Sequence, residues 1–192
     1  LAVFAQGTYI DRNHDEPTIE SPLNRDSENF EVEAGVDFEL ASLIRGDIAV
    51  GYLRTEFDDP ALSAITGVSA DAIFEWFVTQ LTTVTLNATR QVDASGLVET
   101  AGRTTTVLGA QVDHELLRNV LLNARVEYTD FDFQDIDRQD DRIQLGAGAL
   151  YKLNRRVQFT ADYRYRDENS SGTDADIDFT EHLVMIGVRL FP

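Results

Sequence analysis

The sequence predicts an all-β fold, an antiparallel up-and-down transmembrane β-barrel with about ten strands in this chain. Three observations lead to this prediction. Apolar and polar residues alternate over long stretches, these stretches are long enough to cross a bilayer, and short turns alternate with long polar loops between them. The pattern leaves open whether the ten strands close alone or belong to a larger barrel.

The alternation is clearest from Phe30 to Leu40, where every second residue is apolar and the residues between are mostly acidic. Successive side chains of a β-strand point to opposite faces, so this stretch has one apolar and one charged face. Strands of soluble proteins usually have about five or six residues, whereas a strand that crosses a bilayer needs about nine to eleven. The length therefore favours a membrane-spanning sheet over a soluble β-sandwich, in which the apolar face would form a core.

The first strand is predicted at Val3–Asp11, where Ala5 and Tyr9 lie on one face and Gln6 and Thr8 on the other. The first residues of the chain also resemble the end of a signal sequence. They lack its basic region and its full apolar stretch, so a strand is the better interpretation.

The remaining segments have the same strand pattern, and turn signals separate them into hairpins. The ten predicted strands are Val3–Asp11, Phe30–Leu40, Arg45–Phe57, Ala70–Val78, Thr83–Gln91, Arg103–His114, Val120–Phe131, Arg142–Tyr151, Val157–Arg166 and Phe179–Phe191. Short turns at 41–44, 79–82, 115–119 and 152–156 alternate with long polar loops at 12–29, 58–69, 92–102, 132–141 and 167–178. Short turns at one end and long loops at the other are typical of outer-membrane barrels.

An internal repeat supports the fifth, seventh and ninth strands. Each follows a short turn and begins in a similar way, at Leu81–Ala88, Leu117–Ala124 and Leu153–Ala161. The three alanines lie 36 and 37 residues apart, which matches two long strands with one short turn and one long loop. The repeating unit is therefore a β-hairpin.

The last strand has an apolar phase that includes Val184 and Leu190. Outer-membrane barrels usually end in an aromatic residue that the assembly machinery reads, whereas this phase would place Pro192 in that position. The sequence therefore predicts either a bulge near Leu190 or a chain end that is not the natural one.

Composition limits the class of protein. The 192 residues include 43% apolar residues and four prolines, which argues against disorder, and no apolar stretch approaches the roughly 18 residues of a spanning helix. The net charge of −18 excludes a basic surface for nucleic acid, and the absence of cysteine fits an exported protein. No linker divides the chain, so we expect residues 1–192 to form a single outer-membrane barrel domain or the C-terminal part of one.

Three motifs carry a family resemblance: His114–Ala124, the turn Leu153–Val157 and the closing strand Gly187–Leu190. Together they resemble the C-terminal half of the putative beta-barrel porin type 2 family of proteobacterial outer membranes, over roughly 70–190. The resemblance implies an outer-membrane barrel of about twice this length. It also implies that some related proteins are associated with exopolysaccharide export.

In a membrane barrel the apolar strand faces meet lipid and the polar faces line the lumen. Carboxylates in a narrow dry core would repel one another, so the acids need water or arginine partners such as Arg125, Arg164 and Arg166. The excess of acids favours a wider pore to which this chain contributes about half. The lumen-lining candidates are Glu31, Glu33, Asp37, Glu39, Asp71, Glu75, Asp113, Arg125, Glu127, Asp162, Arg164 and Arg166.

Aromatic residues recur on the apolar face. Tyr52, Trp76, Tyr128, Tyr163 and Tyr165 are the candidates for aromatics at the membrane interface. The alternative is that tyrosine occurs there because it is a good strand former.

The sequence offers little material for catalysis. It has no cysteine and three histidines, and it has none of the spacings of metalloproteases, phosphate loops or dinucleotide sites, so we predict no enzyme activity and no cofactor. A rim-active enzyme would need His14 with Asp11 and Asp15, and a solvated loop histidine is the alternative.

Metal binding has two candidate segments, one with Asp174, Asp176 and Asp178 and one with Asp135, Asp137, Asp140 and Asp141. Their carboxylates could bind calcium, but neither segment has the glycine and terminal glutamate of an EF-hand loop. Solvated acidic loops are the alternative.

These observations predict a channel in the outer membrane of a Gram-negative bacterium. We expect a porin-like conduit for small polar solutes or saccharides, in which lumen acids favour cations or neutral sugars. The alternative is a structural barrel that docks a larger envelope complex. The expected partners are outer-membrane lipid, lipopolysaccharide, the barrel-assembly machinery and envelope or polysaccharide-export components, but not nucleic acid. The long acidic loops would be extracellular and the short turns periplasmic.

Overall fold

The computed structural model describes residues 1–13, 26–60, 63–94 and 102–191. The regular structure within these residues consists of ten β-strands. They are β1 (Ala2–Arg12), β2 (Ser27–Leu40), β3 (Ile44–Phe57), β4 (Ile65–Thr79), β5 (Thr82–Ala94), β6 (Gly102–Leu117), β7 (Val120–Phe133), β8 (Gln139–Lys152), β9 (Val157–Ser171) and β10 (Phe179–Leu190). The described part of the chain contains no helix with the length and apolar character needed to span a membrane.

All ten strands form one antiparallel sheet in chain order, from β1 to β10. Each strand pairs with the strand before it and the strand after it, which is the up-and-down order that the sequence predicts. Within the described residues β1 pairs only with β2 and β10 pairs only with β9. The sheet is therefore not closed by a pairing between its two edge strands.

Eight of the ten strands are longer than predicted at the end of the sheet that carries the long loops, and β3 and β10 end there as predicted. β4 begins at Ile65 rather than Ala70, and β9 continues past Arg166 to Ser171. The predicted loop 167–178 therefore begins five residues too early. The β9 extension is polar on both faces, so the apolar alternation that identifies a strand stops there before the hydrogen bonding does.

Pairing in the last strand is regular up to Leu190, which lies opposite Val157. The amide of Phe191 then donates a hydrogen bond of 2.8 Å to the carbonyl of Arg156. The predicted bulge near Leu190 is therefore not present in the described residues. Pro192, which the sequence places in the terminal aromatic position, lies outside them.

The apolar face of the sheet is exposed, because no second layer covers it. Val32, Tyr52 and Leu108 are 48%, 52% and 50% exposed, respectively, although they lie in the middle of paired strands. Within the described residues, Leu53, Ile65 and Val92 form a buried apolar cluster. Soluble monomers rarely expose apolar patches of more than a few hundred Å². A soluble sandwich would bury this apolar face against a second sheet. The exposed face instead suits a sheet whose apolar side meets lipid.

Candidate functional site

The polar face of the sheet is made of every second side chain of each strand. Residues directly opposite on neighbouring strands share a face, so the register can be followed across the sheet in rows. One such row contains Glu39, Arg45, Glu75, Thr85, Gln111, Arg125, Gly146 and Arg164. It runs from β2 to β9 and joins residues that are far apart in sequence.

All twelve lumen candidates lie on this polar face. Glu39, Glu75, Arg125 and Arg164 belong to the row just described, and the neighbouring row contains Asp37, Glu127 and Arg166. The other five occupy rows of the same phase: Glu31, Glu33, Asp71, Asp113 and Asp162. The structure thus brings all twelve to one surface. Their contact with water in a lumen stays a prediction.

Charge is unevenly distributed over the polar face. The acidic strip, on β2, β3 and β4, consists of Glu31, Glu33, Asp37, Glu39, Asp47, Asp71 and Glu75. Arginines are concentrated on β7, β8 and β9, at Arg125, Arg142, Arg164 and Arg166. The two groups lie on different parts of the sheet, so most acids of the acidic strip have no arginine opposite.

Like charges even face each other within the acidic strip. Asp37 lies directly opposite Asp47, an arrangement that is destabilising without water or a cation between the carboxylates. Other members of the strip accept hydrogen bonds from hydroxyl groups, as Glu31 does from Ser69 at 3.0 Å and Asp71 from Thr89 at 2.9 Å. These contacts are those of a wet surface and not of a dry core.

The arginines differ in how far protein groups satisfy them. Arg45 forms a hydrogen-bonded ion pair with Glu75, and the Nη2 atom of Arg164 lies 3.2 Å from Glu181. Arg125 and Arg166 form no ion pair within the described residues. The arginine pairing that a narrow, closed ten-stranded barrel needs is therefore met by Arg164 alone of the three predicted arginines.

A buried ionic cluster at the long-loop end was not predicted from the sequence. Arg138 donates to the carboxylate of Asp140 at 2.6 Å, and the hydroxyl of Ser170 donates to the same carboxylate at 2.5 Å. Asp140 is only 3% exposed. The hydrogen bond to Asp140 raises the pKa of Arg138 above its usual value, so this guanidinium stays charged. In the sequence these residues are part of a long run of charges, which gave no signal of burial.

The same cluster connects two loops. The loop after β7 and the loop after β9 are joined by hydrogen bonds from the Thr173 amide to Asp137 at 3.0 Å and from the Asp137 amide to Asp174 at 3.1 Å. Gly172 has φ of 106°, and a Cβ atom there would lie 1.9 Å from the carbonyl oxygen of Asp137. Only glycine can adopt this φ and lie so close to the backbone of Asp137. We call the group formed by Asp137, Arg138, Asp140, Ser170 and Asp174 the loop latch.

The calcium candidates have structural partners in these loops. Asp174 accepts from the Asp137 amide, Asp176 lies 3.2 Å from the Nη2 atom of Arg138, and Asp178 accepts from the Ser170 amide at 2.7 Å. Among the residues that the structure describes, no three acidic or histidine side chains are grouped as a metal site. The three carboxylates therefore bind groups of the loops and do not converge on a common metal position.

The predicted interface aromatics all lie on the apolar face. Tyr52, Tyr128 and Tyr165 follow the first residues of β3, β7 and β9 by the same number of positions, so they lie at a similar height. The hydroxyl of Tyr163 is 2.9 Å from His182 Nδ1, and Trp76 lies close to the short turn after β4. This arrangement is compatible with contacts at a membrane interface, which stay a prediction.

The proposed rim histidine, His14, and its neighbour Asp15 lie outside the described residues. Asp11, the third member of that hypothesis, is the second-last residue of β1 and accepts a hydrogen bond from Asn13 at 3.3 Å. The described residues therefore do not give the relative positions of Asp11, His14 and Asp15, and the rim-enzyme hypothesis stays untested.

Comparison with known proteins gives a family match and a fold. The sequence matches the family described as Putative beta-barrel porin 2 over residues 1–191, which extends beyond the stretch 70–190 in which the motifs lie. No curated protein matches the chain.

Two solved structures share the fold. The first is outer-membrane expressed OmpT of Vibrio cholerae, with a TM-score of 0.50 and 15% identity over 86% of this chain and 56% of that chain. The second is the in-vitro folded trimer form of OmpT from Vibrio cholerae, with a TM-score of 0.51 and 11% identity over 98% of this chain and 84% of that chain. The chain thus spans little more than half the length of the first structure. At these identities the likeness establishes the fold of an outer-membrane β-barrel and no more.

Proposed function

Because the chain belongs to the Putative beta-barrel porin 2 family and has the fold of an outer-membrane β-barrel, we propose that it is a channel for small polar solutes or saccharides. The observation that carries the proposal is the division of one sheet into an exposed apolar face and a polar face that contains all twelve charged candidates. In this account lipid covers the first face and water fills the space in front of the second.

The pore is wider than ten strands would enclose. In lipid every backbone N–H and C=O group needs a hydrogen-bond partner, so the free sides of β1 and β10 must pair with other strands or with each other. The acidic strip and the unpaired Arg125 favour the first arrangement, because small barrels are filled by their own side chains. This chain then supplies one part of a larger barrel.

The channel is passive and has no catalytic role. The polar face carries carboxylates, guanidinium groups and amides, which set the local field for a permeating solute. The long acidic loops lie outside the cell, where they meet lipopolysaccharide, and the short turns face the periplasm. Export of a polysaccharide would use the same lumen.

Planar bilayers test the proposal. The full-length protein, purified and inserted into a bilayer, is expected to give discrete single-channel currents in potassium chloride. An inserted, correctly folded protein without current would contradict the channel and favour a structural barrel that docks an envelope complex.

A further inference from the structure

We infer that the arginine-bearing part of the polar face holds a binding site for a small hydroxylated carboxylate, such as a sugar acid. The site is a cavity of about 240 Å³ that spans five strands, from β6 to β10. The inference rests on the proposed channel and specifies its substrate class. We call the cavity the arginine pocket, and the side chains that define it are Gln111, Asn123, Arg125, Asp162, Arg164 and Met185.

Gly146 lines the arginine pocket, and Gly148 lies in the next row beneath Asn123 and Asp162. Gly146 lies between Arg125 and Arg164 in one row of the sheet, and a Cβ atom at Gly146 would lie 2.8 Å from Arg125 Nε. At Gly148, a Cβ atom would lie 2.7 Å from both the Asn123 amide nitrogen and an Asp162 carboxylate oxygen. The side chains of Arg125, Asn123 and Asp162 therefore occupy the space above β8 that a side chain at position 146 or 148 would need.

The arginines of the pocket have donors that the protein does not use. Arg125 is exposed on the polar face and makes no hydrogen bond or ion pair within the described residues, so its donors are open to water or a solute. Arg164 donates one hydrogen bond, to Glu181 at 3.2 Å, while its Nε atom is buried without a partner. Buried unsatisfied donors are rare in folded proteins and are usually explained by a bound water, ion or ligand.

The donor set selects the class of ligand. A guanidinium group binds a carboxylate through two parallel hydrogen bonds, and Arg125 and Arg164 offer two such groups on either side of Gly146. Asn123 and Asp162, in the next row, can donate to and accept from hydroxyl groups. The volume lies below the roughly 300 to 1,000 Å³ of pockets for drug-sized ligands, so a monosaccharide-sized solute fits.

The charge pattern supports an acid over a neutral sugar. The pocket contains two arginines and one aspartate, and Glu181 takes only one of the Arg164 donors. The carboxylates of the acidic strip lie on β2, β3 and β4, at the other side of the sheet. A sugar acid can therefore bind at the arginine pocket while cations are attracted to the acidic strip.

Saturation-transfer NMR tests the site with glucuronate as the probe and glucose as the neutral comparison. The full-length protein in detergent micelles is expected to bind glucuronate in preference to glucose. The double substitution Arg125→Gln with Arg164→Gln should weaken glucuronate binding by about tenfold, because charge-assisted hydrogen bonds are lost. Gly146→Val should also weaken it, since the valine side chain would take the space that Arg125 occupies and displace that guanidinium without altering charge.

Arg189→Gln is the control for a loss of positive charge elsewhere on the polar face. Arg189 lies on β10, opposite Gln158 and outside the pocket, so removal of its single charge should leave glucuronate binding unchanged. Equal binding of both sugars, no glucuronate binding, or an equal loss in the control would overturn the site. The measurement needs no current, so absent binding with normal conductance contradicts the site alone. Binding without conductance contradicts the channel alone.

Discussion

Asp37 and Asp47 show what the polar face requires from single residues. They lie directly opposite each other in paired strands, where two carboxylates repel unless water or a cation lies between them. In a water-filled lumen the same repulsion becomes an attraction for a permeating cation. The acidic strip therefore predicts that the channel prefers cations, except where a solute binds at the arginine pocket.

Neutralising part of the acidic strip tests this preference. The triple substitution Glu31→Gln, Glu33→Gln and Asp37→Asn should lower the permeability ratio of potassium to chloride by about threefold or more, because it removes three charges from the lumen. Reversal potentials across a potassium chloride gradient measure the ratio.

The control places the same change of charge on the other face of the sheet. Glu28, Glu56 and Asp130 lie at the long-loop end in the opposite phase of their strands, so their conversion to amides should alter the ratio much less. An equal effect from both triple variants, or no effect from either, would mean that the acidic strip does not line the conducting path.

Sequence alone located the twelve charged candidates on one face, because alternation fixes the phase of each strand. It could not identify Asp140 as a buried partner of Arg138, since residues near 140 are polar on both sides and are not distinguishable from a loop. It also could not show that Arg125 forms no ion pair with any described residue. That property depends on which side chains of other strands approach Arg125, and the sequence pattern does not contain this information.

Among the structural elements, all ten strands were predictable, but most of their ends at the long loops were not, and only β3 and β10 end there at the predicted residue. In β9 the residues after Arg166 are polar on both faces, yet they continue to pair with β8 as far as Ser171. Water surrounds both faces beyond the lipid, so an apolar face is no longer required there. The β9 extension is held by its hydrogen bonds to β8, by the ion pair of Arg142 with Glu168 and by the loop latch.

Removal of Asp140 tests the loop latch. Asp140→Ala leaves the Arg138 guanidinium in a mostly buried position without its main partner, which should lower the free energy of unfolding by about 3 kcal/mol. Urea unfolding in lipid vesicles, followed by tryptophan fluorescence, measures the change.

Asp132→Ala is the comparison for that experiment. Asp132 lies nearby in β7 and is exposed, so its loss should change the free energy of unfolding by no more than about 0.5 kcal/mol. If the two variants were equally stable, the latch would contribute nothing to the fold.

For the molecule as a whole, the proposed channel depends more on the division of the sheet into an apolar and a polar face than on the number of strands. Alternation determines which side chains meet lipid, but it does not determine how many strands close the barrel, and the described sheet has two free edges. The lumen and its width are properties of the assembled barrel. The orientation of the faces can be tested on this chain directly.

Single-cysteine labelling along β2 is the most direct test, because the chain has no native cysteine. With the full-length protein in lipid vesicles, cysteines that replace Glu31, Glu33, Asp37 and Glu39 should react with a charged, membrane-impermeant thiol reagent. Cysteines that replace Phe30, Val32, Ala34 and Val36 should remain unlabelled, since lipid covers them. Labelling of the second set in preference to the first, or labelling without alternation, would contradict the assignment of the polar face to a water-filled lumen.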